Sequence, residues 1–307
     1  MERKPFIPQK KRNKYRKYRL QPKTAKLLGL EINKSNRYKL SHKQEREYFD
    51  IDQDQIKRLF FDIETTPNIG YFWRAGYKLN ITYENIIEER KVICISYKWE
   101  NSDNVQNLTW DKNQCDRQML IDFTKVMNKA DEVIGHNGDR FDIKWLRTRC
   151  LYHRIPMLPS YRSLDTLKKA KRHFNFNSNR LDYIAQFMGV GAKIKHEGFD
   201  MWKKCMKGDK QALKDMVKYC DGDIVVLEDV FFTMQNYIKH NTNVSTHVGG
   251  LKAHCPNCAS SDVQLTKNNF TAIGTIKRQM ECNVCGYGYE TSNSAYRTLL
   301  ELKQPNV

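Results

Sequence analysis

The sequence predicts an α/β protein whose mixed β-sheet is flanked by helices on both faces and is followed by a small separate unit. Apolar, strand-like runs occur first in the central part of the chain and then alternate with helical patterns, which is typical of such a sheet. The composition changes near residue 241, and two Cys-x-x-Cys pairs lie beyond that point. With 307 residues, the chain is long enough for one sizeable domain and a small one.

The N-terminal segment is strongly basic. The net charge is +18, and residues 1–46 hold sixteen Lys and Arg against three acids, a difference of +13. We expect residues 1–54 to form a flexible arm that orders on a polyanion, most simply nucleic acid, with Tyr15 and Tyr18 able to stack on bases. An acidic protein, an anionic membrane surface and a tail that only aids solubility are the alternatives. A short helix near residues 23–30 is compatible with each of them.

The cysteine content and the lack of a long apolar run favour a cytoplasmic protein. No apolar run approaches the ~20 residues of a membrane span, and the basic N-terminus lacks the apolar core of a secretory signal. We therefore expect no membrane partner. The nine cysteines are expected to be thiols or metal ligands rather than a disulfide framework.

The strands of the predicted sheet come early in the central segment. Residues 58–66 are mostly bulky and apolar at the start and carry two acids at the end, which predicts a buried strand. Residues 67–90 then form an insertion rich in aromatic residues. The rings of this insertion either grip unpaired bases or pack against the protein. Further strands are expected at Val92–Trp99 and 105–110, which would form a hairpin, and at 132–136.

Helical spacing predicts the remaining elements. Helices are expected at 115–129, 142–151, 164–174, 179–188 and 209–239, the last with a break near Asp221 and Gly222. The corresponding domains are 55–240 for the sheet and its helices, 241–250 for a linker, and 251–307 for the cysteine unit.

Asp62 and Glu64 stand two residues apart at the end of the first strand. Because side chains alternate along a strand, both carboxylates face the same side of the sheet. Two acids on one face repel each other unless a positive charge lies between them, and a divalent metal is the usual solution. A strand end that has simply reached solvent is the alternative.

Further acids are predicted to come close to this pair. A strand end at 135 continues through a turn into a helix and brings Asn137 and Asp142 to one edge of the sheet. Tyr219 and Asp223 are four residues apart and therefore share one helix face. For Asp165, just before a helix, an N-cap or a supporting role is expected rather than metal ligation.

These motifs resemble a known family. Asp62-Ile-Glu64, the turn Asn137-x-x-x-Phe141-Asp142 and Tyr219-x-x-x-Asp223, in that order, are similar to the three exonuclease motifs of DnaQ-like 3′–5′ exonucleases, which have an RNase H-like fold. The resemblance covers about residues 57–238. The tyrosine is typical of the subclass with four acids and a tyrosine (DEDDy), and the patterns are similar to those of B-type polymerase proofreading domains and stand-alone phage exonucleases.

The resemblance implies a two-metal mechanism. Two Mg²⁺ or Mn²⁺ ions about 4 Å apart can supply a nucleophilic water, compensate the phosphate and stabilise the 3′ leaving group. Oxygen ligands select these ions over zinc. Asp62 would bridge both ions, Glu64 and Asp223 would complete one site and Asp142 the other, while Tyr219 would orient the attacking water as a hydrogen-bond donor rather than a base.

The same resemblance implies the substrate contacts and partners. Asn137, Phe141 and Thr65 would contact the terminal nucleotide, although Phe141 could be core and Asn137 could satisfy its turn. The expected substrate is DNA or RNA with a free 3′ end, in a bacterial or phage-infected cell, with a separate polymerase or another replication or repair protein as a partner. An RNase H-type endonuclease and a non-catalytic nucleic-acid-binding or assembly protein are the alternatives.

The C-terminal cysteines predict one structural zinc. Two Cys-x-x-Cys pairs, at 255–258 and 282–285, match a tetrahedral four-thiolate site and resemble a zinc ribbon, with strands expected at 264–275 and 277–281. Such a unit could bind nucleic acid or dock a protein. His254 is a fifth candidate ligand. The predicted zinc ligands are Cys255, Cys258, Cys282 and Cys285, whereas Cys94, Cys115, Cys150, Cys205 and Cys220 lack ligand spacing.

Overall fold

The computed structural model describes two compact units, one of residues Lys57–Lys239 and one that contains the residues from 240 onward. The described residues are 56–303 together with two short N-terminal strands, apart from positions 75, 77, 78, 80, 101, 195 and 196. Most of the predicted basic arm, including Tyr15 and the helix expected near residues 23–30, lies outside the described residues. The two N-terminal strands, β1 (Arg16–Tyr18) and β2 (Tyr38–Leu40), pair antiparallel.

The first unit is built on a five-stranded mixed sheet. The order is β7-β6-β3-β8-β9, in which β3, β6 and β7 pair antiparallel whereas β8 and β9 run parallel to β3. A two-stranded sheet of β4 and β5 lies in the insertion. The strands are β3 (Arg58–Thr65), β4 (Ile69–Gly70), β5 (Ile86–Glu88), β6 (Val92–Trp99), β7 (Gln106–Thr109), β8 (Glu132–Gly135) and β9 (Ser163–Asp165).

Helices cover both faces of the sheet, which confirms the predicted fold class. The helices are α1 (Arg117–Met127), α2 (Asp142–Tyr152), α3 (Thr166–His173), α4 (Leu181–Met188), α5 (Phe199–Met206) and α6 (Lys210–Met234). One apolar cluster packs beneath α1 and α2, and another packs beneath α3, α4 and α6. Among the described residues, no helix has the length and apolar character that crossing a membrane requires.

Strand β3 is buried on both faces, and its alternation sorts its side chains between the two cores. Leu59, Phe61 and Ile63 lie in the cluster beneath α1 and α2. Phe60 lies on the opposite face and contacts Phe231 of α6 edge to face, with ring centroids 5.5 Å apart. Asp62 and Glu64 follow Phe60 on that face, so the sheet directs both acids toward α6.

A buried ion cluster fixes helix α2 to strand β6. Asp116 accepts bonds from Arg149 (2.8 and 2.9 Å), from the His153 ring (2.6 Å) and from the backbone N–H of Val92 (3.0 Å). These partners hold the pKa of the fully buried Asp116 below its usual value despite its burial. The cluster therefore anchors the helix that begins at Asp142.

One prediction about this unit is wrong, and one open alternative is decided. Helix α6 continues through Asp221 and Gly222 without a break. A Cβ at Gly222 would lie 2.6 Å from the Cδ1 of Ile194, so the glycine accommodates a close side chain rather than ending the helix. The aromatic insertion does not pack against the protein at Tyr71, Phe72, Trp73 and Tyr83, which are all more than half exposed; Tyr77 lies outside the described residues.

The second unit is a three-stranded antiparallel sheet with two helices. Strand β11 lies between β10 and β12. A small apolar core includes Val263, Met280 and Leu299. Its elements are α7 (Val244–His247), which falls within the expected linker, β10 (Val263–Phe270), β11 (Ile276–Cys282), β12 (Gly288–Ser292) and α8 (Asn293–Lys303).

Candidate active site

Strand β3 and helix α6 bring three carboxylates together. Asp62, Glu64 and Asp223 each offer an oxygen, and these oxygens lie within 4.8 Å of one another. Asp223 is 3% exposed because α6 packs against β3 and β6 at this level. The two acids of the strand and the distant acid of the helix therefore form one cluster.

Asp142 lies beside this cluster as the first residue of α2. It is 3% exposed, and its Oδ1 accepts a hydrogen bond from the backbone N–H of Ile63 at 3.2 Å. This bond fixes the start of α2 to the residue between Asp62 and Glu64. Asp142 is not part of the three-residue oxygen cluster, but its charge is close enough to raise the pKa of Asp62.

The loop that carries Asn137 is tightly folded. Asn137 has a φ of +69°, a left-handed conformation that asparagine tolerates better than most residues. A Cβ at Gly138 would lie 3.3 Å from the Cα of Gly135, so a larger residue there would crowd the turn. The sequence Gly-His-Asn-Gly thus supplies the close backbone approach that turns β8 toward α2.

Asp165 supports this loop from the neighbouring strand. Its Oδ1 accepts from the N–H of Leu167 at 2.9 Å, which confirms the predicted N-cap of α3, and also from the N–H of Asn137 at 3.0 Å. Its Oδ2 accepts from the N–H of Asp139 at 3.4 Å. One carboxylate therefore caps a helix and fixes the Asn137 turn.

Lys193 is a site residue that the sequence analysis missed. Its ammonium forms an ion pair with Asp223 Oδ2 and donates to the Tyr219 hydroxyl at 3.2 Å. The backbone N–H of Lys193 donates to Asp182 Oδ1 at 2.8 Å. Lys193 lies in a loop that precedes α5 and α6, and no local pattern links it to Tyr219, so only the tertiary structure reveals the contact.

The acids carry more negative charge than their surroundings compensate. Burial and repulsion from the neighbouring acids raise the pKa of Asp62 well above its usual value and that of Glu64 to about 8. Burial, with a smaller contribution from Asp165, raises the pKa of Asp142 to about 7. Burial also raises the pKa of Asp223, although Lys193 opposes the shift. The buried Oδ1 of Asp223 has no hydrogen-bond partner among the described residues. An all-oxygen donor set with this charge fits a divalent cation.

The predicted substrate contacts are buried to different degrees. Thr65 ends β3 and is 8% exposed. Phe141 is partly buried and packs against the core beneath α1 and α2, which agrees with its alternative role as a core residue. Asn137 is half-buried at the turn. Burial leaves Thr65 and Phe141 only part of their surface for a nucleotide.

The four C-terminal cysteines also converge. The Sγ atoms of Cys255, Cys258, Cys282 and Cys285 lie within 4.8 Å of one another, with Cys255–Cys285 and Cys258–Cys282 separations of 3.6 Å, and all four are free thiols. Zinc–sulfur bonds of about 2.3 Å at tetrahedral angles place sulfurs about 3.8 Å apart. The donor set therefore fits zinc. His254 is not part of this cluster, and its Nδ1 accepts from the N–H of Leu251.

A comparison with family models decides the superfamily. The model described as the RNase H superfamily matches residues 59–235, more than half of the chain. The chain belongs to the RNase H superfamily. This RNase H domain spans β3 to α6 and thus contains every acid of the candidate site.

Curated relatives of this RNase H superfamily chain are archaeal DNA polymerases. A DNA polymerase of Thermococcus kodakarensis is 34% identical over 100 residues, 32% of this chain and 5% of the polymerase. A DNA polymerase of Archaeoglobus fulgidus is 24% identical over 177 residues, 51% of this chain and 20% of the polymerase. The chain spans a fifth or less of these relatives. A family B DNA polymerase structure of Pyrobaculum calidifontis aligns with a TM-score of 0.46 and 15% identity over 59% of this chain and 25% of that one.

The stability of the RNase H domain without metal should fall as pH rises. An acid with a raised folded-state pKa favours the folded state below its unfolded-state pKa, and this contribution is lost as pH rises through the folded value. For Glu64 the window runs from pH 4.5 to about 8, and for Asp142 it runs from 3.8 to about 7. Thermal unfolding without added Mg²⁺ should show a falling transition temperature of this domain over this window, and added Mg²⁺ should raise that temperature more at pH 8 than at pH 6. A Mg²⁺ effect that is equal at both values would contradict the assignment.

Proposed function

We propose that the chain is a two-metal-ion 3′–5′ exonuclease that hydrolyses phosphodiester bonds at the 3′ end of DNA or RNA and releases nucleoside 5′-monophosphates. The observation that carries this proposal is the convergence of Asp62, Glu64 and Asp223 within 4.8 Å, with uncompensated negative charge and Tyr219 beside Asp223. The RNase H superfamily membership and the similarity to DNA polymerases support a nuclease.

The acids would hold Mg²⁺ or Mn²⁺. Bound ions of this kind activate a water, compensate charge on the phosphate and stabilise the leaving 3′ oxygen. Asp62, Glu64 and Asp223 are the proposed ligands of the cluster, and Asp142 is the fourth acid. Their raised pKa values mean that protons compete with a cation for these oxygens below about pH 7, so activity is expected to rise with pH through that range.

Tyr219 would orient the attacking water rather than deprotonate it. Burial and the nearby Asp223 raise the pKa of Tyr219 to about 12, so the phenol keeps its proton at neutral pH. A protonated hydroxyl can donate one hydrogen bond and accept another, and it accepts the one from Lys193 at 3.2 Å. The hydroxyl is also hydrogen-bonded to the Asp223 carboxylate, which lowers the pKa of Asp223. We propose that this proton turns to a water or a phosphate oxygen when substrate binds.

Substitution of Tyr219 by phenylalanine tests this role. The ring contact with Trp202, with centroids 6.2 Å apart, should persist, and only the hydroxyl is lost. We expect kcat to fall about 10- to 100-fold, with little change in KM. This loss lies at or below the lower end of the range for groups that transfer a proton, because the hydroxyl only positions the water. Steady-state kinetics on a fluorescent oligonucleotide measure this. An unchanged kcat would contradict the role of the hydroxyl.

Asn137, Phe141 and Thr65 remain the proposed contacts of the terminal nucleotide. Asn137 stands at the loop between the acids and Asp165, where its amide could reach a sugar or base edge. The partly exposed Phe141 ring could stack on a base. The proposed substrate therefore enters at the edge of the sheet where β3 and β8 end.

Two other functions remain as outcomes of the same assays. An RNase H-type endonuclease would use a similar acidic cluster, but it does not need a tyrosine beside the last aspartate. A non-catalytic nucleic-acid-binding or assembly protein would not need all four acids and the tyrosine. Incubation of single-stranded DNA, duplex DNA and RNA with Mg²⁺, followed by chromatography of the products, distinguishes them: nucleoside 5′-monophosphates support the proposal, internal fragments or no products contradict it.

The cysteine unit is proposed to be a zinc ribbon. One structural Zn²⁺ on Cys255, Cys258, Cys282 and Cys285 would leave no open position for catalysis, so residues 251–307 would act in binding nucleic acid or a partner such as a separate polymerase. Residues 1–54 as a basic arm, 55–240 as the nuclease and 241–250 as a linker complete the proposed organisation. Free thiols of this kind suit the cytoplasm of a bacterial or phage-infected cell.

A further inference from the structure

The segment from helix α3 to the start of α4 is basic and lies beside the candidate active site. Residues 166–180 contain five Lys and Arg and no Asp or Glu. Lys168, Lys171 and Arg172 are exposed and stand at helical positions i, i+3 and i+4, so they share one face of α3. The proposed reaction assigns no role to this cationic face of α3.

Four hydrogen bonds fix this segment to the loop that carries Asn137 and Asp142. Asp165 caps α3 and also binds the N–H of Asn137 at 3.0 Å. The His136 ring is hydrogen-bonded to Thr166 Oγ1 at 2.9 Å and to the carbonyl of Asn179 at 2.9 Å. Thr166 also donates to the carbonyl of Gly135 at 3.1 Å. Both ends of the basic segment are therefore held at the site, and α3 leads away from it for about 12 Å.

The positive charge of this face is largely uncompensated. Lys168 pairs with Asp139, but within the part of the chain that the structure describes Lys171 and Arg172 form no ion pair. Burial and then Arg172 lower the pKa of Lys169, and burial followed by Lys169 and Arg172 lowers the pKa of His173, which shows like-charge repulsion in this region. A cation near a helix C-terminus interacts favourably with the helix dipole, which accounts for part of this charge. Two neighbouring cations without acidic partners in the described segments, Lys171 and Arg172, in addition favour binding of a polyanion.

Aromatic rings continue from the end of α3. Phe174 stacks on Phe176 at 5.2 Å, and Phe176 contacts the Phe187 ring edge to face at 5.3 Å. Phe187 is 68% exposed. Surfaces that bind single-stranded nucleic acid combine cations, which contact the phosphate backbone, with exposed aromatic rings, which stack on the bases. Both features occur here.

We propose that the cationic face of α3 binds the phosphates of the single-stranded nucleic acid a few nucleotides upstream of the 3′ end in the active site. This inference rests on the proposed function, because it uses the acidic site to fix the position of the 3′ end. The helix starts at the site and its unpaired cations lie in its last turn, so they are placed for phosphates beyond the terminal nucleotides. A dinucleotide would be too short to reach them.

The test compares three double variants of the full chain: one at the proposed surface, one control on the other face of the sheet, and one that conserves the charge. Lys171→Gln/Arg172→Gln removes two cations from the proposed surface. Lys125→Gln/Lys129→Gln removes two exposed cations from the α1 segment on the opposite face of the sheet, where the Lys125–Asp122 pair is exposed and contributes little. Lys171→Arg/Arg172→Lys keeps the charge of the surface and reports any effect on helix packing.

Binding of 5′-fluorescein-labelled dT12 and rU12 is measured by anisotropy over a range of KCl concentrations, without chelator and without added Mg²⁺ or Mn²⁺, so that the proposed structural zinc is retained. For the Gln variant on α3, the slope of log affinity against log salt should decrease by about 1.4, from two phosphate contacts at about 0.7 each. The control and charge-conserving variants should retain the wild-type slope. Equal slopes for the Gln variants on α3 and α1, or equal competition by poly-glutamate and by dT12, would overturn the inference.

Rates of hydrolysis distinguish a defect in the α3 surface from a defect in the proposed active site. With Mg²⁺, the α3 Gln variant should show a lower kcat/KM for a 12-mer and a normal kcat/KM for a dinucleotide, whereas an equal loss on both would indicate damage to the site and overturn the inference. A wild type that binds with the predicted α3 dependence but hydrolyses nothing would contradict the exonuclease and leave the binding surface supported. A wild type that hydrolyses but shows no α3 dependence would contradict the surface alone.

Discussion

Replacement of Asp62 or Asp223 by asparagine is expected to lower Mg²⁺-dependent nucleotide release about 10³-fold or more. Each aspartate offers an oxygen to the cluster, and the amide cannot replace its charge. Bound metal contributes several kcal/mol of transition-state stabilisation in this kind of chemistry, and each step of about 1.4 kcal/mol corresponds to a factor of ten in rate. Single-turnover rates with excess enzyme measure the loss directly.

The fold should survive these substitutions. Burial and the neighbouring acids raise the pKa of Asp62, so removal of its charge relieves repulsion and should leave metal-free stability at pH 8 equal or higher. Asp223→Asn also removes the ion-pair partner of Lys193, so its metal-free stability should be lower than that of Asp62→Asn. Asp215→Asn is the matched control, since Asp215 lies on the exposed side of the same helix. Activity within about tenfold of wild type in both site variants would contradict the assignment of the acids.

Substitution of Cys282 by serine is expected to abolish zinc binding and unfold the second unit. The unit has a small apolar core, and structural zinc contributes about 10–16 kcal/mol of apparent binding energy in small four-ligand domains. We expect about one zinc per chain in the wild type, and in the variant no bound zinc together with lost amide-exchange protection over residues 255–303. Elemental analysis and hydrogen exchange measure these effects.

Cys115→Ser is the control for this prediction. Cys115 is half-buried and lies outside the four-thiol cluster, so its loss should change neither the zinc content nor the protection of the second unit. Retention of full zinc content by Cys282→Ser would show that the four thiols are not the ligand set. Loss of zinc by both variants would point to general misfolding instead.

Much of the fold and of the acidic cluster follows from local periodicity. The alternation along β3 assigns Leu59 and Phe61 to one core and Asp62 and Glu64 to the other face, and the structure has this arrangement. The four-residue spacing of Tyr219 and Asp223 correctly predicts a shared helix face. These features depend only on the geometry of a single strand or helix, which a sequence encodes directly.

The features that sequence reasoning missed depend on contacts between distant segments. Lys193 reaches Asp223 from a loop, and His136 joins Thr166 to Asn179, although neither contact has a repeating pattern. Gly222 favoured a break in α6, but packing of Ile194 against it overrides its low helix propensity. The fully exposed Trp73 shows the converse, because its apolar ring suggested packing that the structure does not provide.

End-labelled oligonucleotides test directly whether the protein degrades nucleic acid from the 3′ end. Single-stranded oligonucleotides labelled at the 5′ or the 3′ end are incubated with the protein and Mg²⁺, and the products are resolved over time. We expect the 3′ label to be released as a mononucleotide at the earliest times, and the 5′-labelled product to shorten one nucleotide at a time. Neither product should form with the Asp62→Asn variant. Internal fragments, release of the 5′ label first, or equal activity of Asp62→Asn would contradict the proposed 3′–5′ exonuclease.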